Sequence, residues 1–411
     1  WDVDYLRDNR DENMGFLSKT LLPDGTEIPG TNFDYNYLQH RKVDVVSSAL
    51  DFILPFEKYK ITAGAKVSFT NTRNGINYDT SDPTLVQDDY FRYKEQIYAL
   101  YADYSREYSE RFSMQLGLRM EHTRTTGISE AKDTEDKHDY TRLFPTVYLL
   151  YSPTDGHALN FSFSNRISRP SQNMVNPFPF YQNKYTYACG REDLKPSYTY
   201  NAELGYTLKN NFNVSAYYSY SDDVFFQVVD LDAETNVTSF LWENFMKTHA
   251  FGLNNSYTFR TKWLQAYAQH GVSYRRTTSS AVTTSSEEKG WAYDASLRNT
   301  FFFNEKKTLL ATLSGSYSSR QYQGIYLMSP TYSVSAGMLY RLLDNKLNLS
   351  LNVNNLFVSH SKLETMSNGL KIIADNQFSF TSFRIGVSYT FGGDIRSKGQ
   401  RNSNEDIQRR L

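Results

Sequence analysis

The side chains able to make or break bonds are present but scattered. The seven histidines, His40, His122, His138, His157, His249, His270 and His360, form no HExxH and no pair at ligand spacing. No GxSxG elbow and no phosphate-cradling Walker loop occurs. Cys189 is the single cysteine, which excludes an intrachain disulfide framework and a cysteine-based zinc cluster. Carboxylates gather in SEAKDTEDKHD (129–139), with Glu130, Asp133, Glu135, Asp136 and Asp139. Oxygen ligands of that kind suit Ca²⁺, but the spacing matches no EF-hand, and a solvated loop is the better reading. The expectation is a protein that is not an enzyme and needs no cofactor or metal. The densest chemical feature is aromatic. In NPFPFYQNKYTYACG (176–190), Phe178, Phe180, Tyr181, Tyr185 and Tyr187 either offer a ligand a stacking surface or pack the segment down on its surroundings.

Elements that could carry such a segment follow from composition. The 411 residues include 33 Tyr, 27 Phe and 4 Trp, yet mean hydropathy is −0.60. The longest apolar runs, ALDFILPF and VYLLY, fall far short of the roughly 18–20 residues of a membrane helix. Hydropathy alone reads as soluble. That reading fails for a β-barrel, whose strands expose only alternate residues to lipid and whose rims carry Tyr and Trp. A net charge of −1 offers no basic field for nucleic acid.

Period-two alternation dominates the chain. In RFSMQLGLRME, Phe112, Met114, Leu116, Leu118 and Met120 share one face, and Ser113, Gln115, Gly117, Arg119 and Glu121 the other. Leu347, Leu349, Leu351 and Val353 repeat the pattern against Asn348, Ser350, Asn352 and Asn354. Sixteen strands are predicted, near 1–9, 36–54, 58–74, 88–106, 109–124, 138–152, 157–167, 196–208, 211–229, 237–259, 262–278, 288–303, 307–320, 331–342, 345–358 and 378–391. Short polar turns alternate with longer connections near 8–35, 75–87, 125–137, 168–195, 230–236, 279–287, 321–330 and 359–377. One-sided short turns and strands longer than the usual five or six residues predict an all-β, antiparallel transmembrane β-barrel surrounded by outer-membrane lipid. Residues 1–391 supply its strands and extracellular loops, and 392–411 a polar periplasmic tail. The chain opens WDVDYLRDNR, with no basic and apolar export signal, so the expectation is that its signal lay further upstream.

Two blocks carry resemblances. RIGVSYTF (384–391) resembles the C-terminal β-signal read by the barrel-assembly machinery, with Arg384, Gly386, Tyr389 and Phe391 at its four defined positions. The second block, 164–206, contains Arg166, Ile167, Arg169, Pro170 and Ser171, then Asn176, Pro177 and Phe178. Gly190, Leu194, Lys195 and Pro196 follow, and Glu203, Leu204, Gly205 and Tyr206 close it. It resembles the RPS, NPF, GNPxLKPE and ELGY elements of Bacteroidota-type outer-membrane β-barrel proteins, relatives of the TonB-dependent receptors. NVNNLF (352–357) is similar to their late NLF element. Arg191 and Glu192 stand where Asn-Pro is usual, and Ser197 where Glu is usual, which alters the turn.

The resemblance implies a barrel of 22 strands around an N-terminal plug, of which these sixteen would be the C-terminal portion. It implies uptake of a nutrient or metal chelate, driven by a TonB-type energy-coupling protein acting through a plug absent from this chain. A surface lipoprotein is a further possible partner. The aromatic loop, with lumen-facing Gln115, Arg119 and Asn165 behind it, is then the candidate ligand path. Two alternatives stay open: a complete sixteen-stranded passive porin, and a structural barrel subunit of an assembly or secretion complex.

Overall fold

The computed structural model describes residues 1–80, 88–376 and 380–391. The expected tail 392–411 and part of the predicted connection 75–87 lie outside the described residues. In chain order the strands are β1 (Asp2–Ser18), β2 (Phe33–Pro55), β3 (Tyr59–Thr80), β4 (Asp89–Ser109), β5 (Phe112–Ser129), β6 (Thr134–Tyr151) and β7 (His157–Ser168). After a single helical turn, α1 (Gln172–Val175), come β8 (Phe180–Asn183), β9 (Thr186–Cys189), β10 (Ser197–Leu208), β11 (Phe212–Leu231), β12 (Thr238–Arg260), β13 (Leu264–Ser279), β14 (Glu287–Phe302) and β15 (Leu309–Ser318). The chain ends through β16 (Gln321–Gln323), β17 (Tyr326–Met328), β18 (Thr331–Leu342), β19 (Leu347–Val358), β20 (Ser361–Ser367), β21 (Leu370–Asn376) and β22 (Ser382–Tyr389).

Sixteen of these strands form the wall, each antiparallel to the next wall strand in sequence. They are the sixteen read from alternation. The remaining six are short strands inside connections and carried no alternation to read. One of them, β9, pairs with β12 in parallel, so the sheet is antiparallel throughout except at Thr238↔Thr186 to Leu241↔Cys189. Among the described residues β1 pairs only with β2, and β22 only with β19.

Register shows which face is which. Leu100, Met120 and Leu143 lie side by side on β4, β5 and β6, as do Tyr104, Leu116 and Val147. On the opposite face Asp103, Gly117 and Thr146 adjoin one another. The first set looks outward: Leu118 is 51% exposed and Leu143 54%. Moving toward the long connections, the outward face turns polar at His122 and Thr141, then Arg124 and Asp139. The apolar band therefore ends near that row, where Tyr98 lies beside His122 (ring centroids 6.1 Å). At about 3.3 Å per residue, the 23 residues of β2 run roughly 75 Å, far more than a tilted crossing of the roughly 25 Å apolar band needs. The wall consequently rises well beyond the band on the side of the long connections.

Those extensions correct one expectation. The predicted long connection 125–137 is mostly strand: β5 runs to Ser129, β6 starts at Thr134, and only 130–133 turn. Above the band the outward face is polar and the inner face is buried on small polar residues, Thr123, Thr125, Gly127 and Ser129, so no apolar alternation marks the strand although the ladder continues. Likewise β1 extends to Ser18, well into the predicted connection 8–35.

Among the described residues histidines bridge neighbouring strands: His40 contacts Asp11, His122 Thr141 (3.0 Å), His157 Tyr206 (2.7 Å) and His249 Tyr218 (2.8 Å). Glu130 and Asp133 sit in the 130–133 turn, while Glu135, Asp136 and Asp139 follow along β6. Among the described residues no cluster of His, Cys, Asp or Glu suited to a metal ion forms.

Candidate functional site

The connection from β7 to β10, residues 169–196, does not stand away from the wall. It folds back onto the inner face of β2–β5 and fills that side above the apolar band. Phe33, Tyr35 and Tyr37 of β2, Ile76 of β3, and Phe91 and Tyr93 of β4 receive Val175, Phe178 and Leu194 in one buried cluster. Tyr181 meets the edge of Tyr35 at 5.0 Å, and Phe180 that of Tyr37 at 5.8 Å. Edge-on aromatic pairs contribute about 0.5–1.5 kcal/mol each beyond the area they bury. The Tyr35 and Tyr78 hydroxyls both donate to the Pro179 carbonyl, at 3.2 and 3.3 Å.

An ionic anchor accompanies the aromatic one. Arg169 donates to Glu121 Oε2 at 2.6 Å and to Thr123 Oγ1 at 3.2 Å, with Glu95 3.9 Å away. The side chains of Arg169, Glu121 and Glu95 retain only 10%, 9% and 3% of their exposure. Arg119 completes the group through Glu121. Further along, Arg191 bridges Asp193 (2.7 Å) and Glu243 (3.0 Å), and its hydrogen bonds hold the Asp193 carboxyl below the usual range. Burial pushes the Cys189 thiol up, away from its reactive thiolate form.

The connection closes on itself at Gly190, whose N–H donates to the Asn176 carbonyl at 3.0 Å. A Cβ there would lie 2.3 Å from the Asn176 oxygen and 2.5 Å from that of Met174. Both obstacles are backbone, so nothing can swing aside. Gly190→Ala is expected to cost about 1–3 kcal/mol and to raise protease cleavage within 169–196. Unchanged cleavage would show that the turn relaxes.

The candidate residues thus fall in different places. Phe178 is fully buried, with no face left for a ligand. Phe180 and Tyr181 are half-buried against the cluster, and Tyr187 lies on Tyr181 at 5.4 Å. Tyr185 is 49% exposed. Gln115 and Arg119 are on the inner face. Asn165 alternates with Phe161 and Phe163 beside Tyr200 and Ala202, yet it is buried and lines the same inner groove as Arg119 and Glu121. Its Nδ2 donates to the Leu143 carbonyl at 3.2 Å. The Glu95–Glu121–Arg169 group was not picked out from sequence, although Glu121 on the polar face of the clearest strand and Arg169 in the RPS element were both in view.

Beside the anchor, an inner groove of about 500 Å³ is lined by Tyr101, Asp103, Arg119, Phe144 and Arg166. Around the wall, a polar concavity of about 640 Å³ presents Asn160, Glu203, Tyr217, Asn254, Gln269 and Ser296. On β22, Ile385 and Val387 face outward beside Leu351 and Leu349, and Tyr389 stacks near Phe391 (6.5 Å). Gly386 leaves room for Ser350, whose Oγ would be 2.6 Å from an added Cβ.

With that long antiparallel wall on view, a family model matches residues 1–389: the outer membrane protein beta-barrel family. The chain belongs to that family. It is a protein of the bacterial outer membrane. No curated protein matches it in sequence. In fold this outer-membrane barrel protein is similar to the copper transporter OprC (TM-score 0.60, 13% identity, 93% of this chain and 65% of that one). It is also similar to the ferric yersiniabactin uptake receptor FyuA of Yersinia pestis (0.59, 16%, 88% and 56%) and the ferripyoverdine receptor of Pseudomonas aeruginosa (0.59, 16%, 94% and 53%). The chain thus spans just over half to about two thirds of those structures.

Proposed function

We propose that this barrel protein is the wall of an outer-membrane transporter that takes up a nutrient or metal chelate. The observation that carries the reading is the inward-folded connection 169–196, anchored by Arg169 over a polar inner face. A wall built only to leak small solutes has no need to fill its own mouth. The fold shared with a copper transporter and two ferric-chelate receptors supports it. On this reading Tyr185 meets the ligand first, with Tyr187 and Tyr181 behind it. Arg119, Gln115 and the groove beside them lie on its path. A plug outside these 411 residues gates the lumen, coupled to a TonB-type protein of the inner membrane, and a surface lipoprotein is a candidate partner. The strand RIGVSYTF presents the barrel to the assembly machinery.

The test uses a strain deleted for the gene. It is expected to lose uptake of at least one compound among radiolabelled ferric chelates, copper, cobalamin and oligosaccharides, and to regain it when the whole gene is restored. Unchanged uptake of every compound sinks the proposal. Steady open conductance of the purified protein in planar bilayers favours the passive-pore alternative instead.

A further inference from the structure

The wall carries a seam. The ladder between β6 and β7 runs from Tyr151↔Leu159 only to Thr146↔Ser164. The next residue of β6 is Pro145, which has no N–H to give a neighbour. Beyond it β6 continues to Thr134, bonded to β5, while the outer end of β7 is bonded to β10. Among the described residues no backbone ladder joins β6 to β7 above Pro145. Side chains cross the gap instead: the Asn165 amide reaches the Leu143 carbonyl (3.2 Å), and the Arg142 guanidinium lies over the Tyr198 ring (4.9 Å).

Between them is a cleft of about 310 Å³ lined by Lys137, His138, Asp139, Arg142, Lys195 and Asp223, with Tyr198 as part of its wall. Its charges are unevenly committed. Lys137 is bound to Glu135 at 2.9 Å. Asp139 is occupied by Arg124 at 2.8 Å, with His122 at 3.6 Å. Among the described residues neither Arg142 nor Lys195 has a carboxylate within ion-pair distance, which leaves two cations facing the single carboxylate of Asp223. The His138 Nε2 is enclosed with no hydrogen-bond partner.

The height of the cleft is equally telling. Leu143, just below it, is exposed on the outward face, and Thr141 beside His122 marks the end of the apolar band. An amphiphile there would rest its chains on Leu143 and hold its polar head at the cleft, which Arg142 enters from the inner set by crossing the gap to Tyr198. Arg142, steadied on Tyr198, presents a planar fork that matches a phosphoryl group, and Lys195 adds a point charge.

We propose that the seam between β6 and β7 is a binding site for a phosphoryl group, carried by a lipid headgroup of the surrounding leaflet or free in solution. The site is independent of the transport reading, and its failure would leave that reading untouched.

The test compares the whole protein with an Arg142→Gln/Lys195→Gln double variant, both checked for unchanged sheet content by circular dichroism. Binding is measured to nanodiscs of phosphatidylcholine doped with phosphatidic acid, and to inorganic phosphate in detergent. The double variant is expected to bind phosphatidic acid at least about tenfold more weakly, the scale set by losing charge-assisted hydrogen bonds. Arg142→Lys, which keeps charge but not the fork, is expected to fall between. Loss confined to the lipid assigns the headgroup, and parallel loss toward inorganic phosphate assigns a soluble anion. Equal binding by wild type and double variant, or no binding of either probe by wild type, overturns the proposal.

Discussion

Arg169→Ala is expected to release residues 169–196 from the inner wall while leaving the wall intact. Removing one member of a buried ion group costs about 3–5 kcal/mol, because the partners stay charged without compensation. Here those partners are Glu121, at 2.6 Å from Arg169, and Glu95, at 3.9 Å. The cheapest relief is to let water reach the two carboxylates, and water enters when the segment lifts into the lumen. The aromatic contacts of Phe178, Phe180 and Tyr181 oppose that movement. They are each worth less than the ionic loss, and they share one hinge with it. Opening of the segment should therefore become roughly a hundredfold more frequent or greater, since about 1.4 kcal/mol is a factor of ten. Hydrogen exchange of 169–196 in the purified protein reads this directly. Arg169→Lys keeps the charge but loses the two-pronged donor, and should fall between alanine and wild type. Wild-type protection of 169–196 in the alanine variant would show that the aromatic cluster alone holds the segment. Exchange from the centres of β4 and β5 should not change, because their amides are held by ladders on both sides.

The same residues show how far sequence could see. Phe112, Met114, Leu116, Leu118 and Met120 alternate because lipid demands it, so the wall strands were legible within a few residues at most ends. Where the strands leave the apolar band the demand lapses, and the outer part of β5 with the start of β6 read as a loop. The short strands were hidden for a different reason. β17, β20 and β21 are held by packing of Ile325 and Tyr326, with Leu363 and Ile372, on Val228, Val229, Phe245 and Met246. Nothing local in QYQ or YLM announces a strand.

Pairing between the wall and the connection lying on it was hidden in the same way. Glu121 and Arg169 are 48 residues apart in sequence. Only the return of the β7–β10 connection onto β4 and β5 brings them together, and no spacing rule encodes that. Asn165 shows where alternation stops being a guide: it alternates with Phe161 and Phe163, yet it is buried and borders the same groove as Arg119. At a ladder's end, next to Pro145, an amide is useful for what it can bond, not for which solvent it faces. The aromatic loop left its two readings balanced from sequence because stacking on a ligand and stacking on Tyr35 require the same rings. The fold fills one face of Phe178, Phe180 and Tyr181 with the wall itself.

A matched pair of arginine substitutions should separate the two faces of β5. Leu118→Arg places a charge near the middle of the outward apolar stripe, flanked by Ala102 and Pro145 on the neighbouring strands. At the midplane of a bilayer such a change costs about 2–4 kcal/mol. Gln115→Arg puts the same side chain three residues away on the inner face, beside Ser105 and Tyr148, where Gln115 is already exposed. Its cost should stay within about 0.5 kcal/mol, the usual range for an exposed site. In urea titrations of the protein folded into phosphatidylcholine vesicles, Leu118→Arg should shift the folded-to-unfolded ratio by roughly thirtyfold to a thousandfold, and Gln115→Arg by less than about threefold. The contrast matters more than either value, because the introduced side chain and the change in chain charge are common to both variants. Equal losses would mean that β5 does not divide lipid from lumen, and the inside–outside assignment of every strand paired to it would fall with that result.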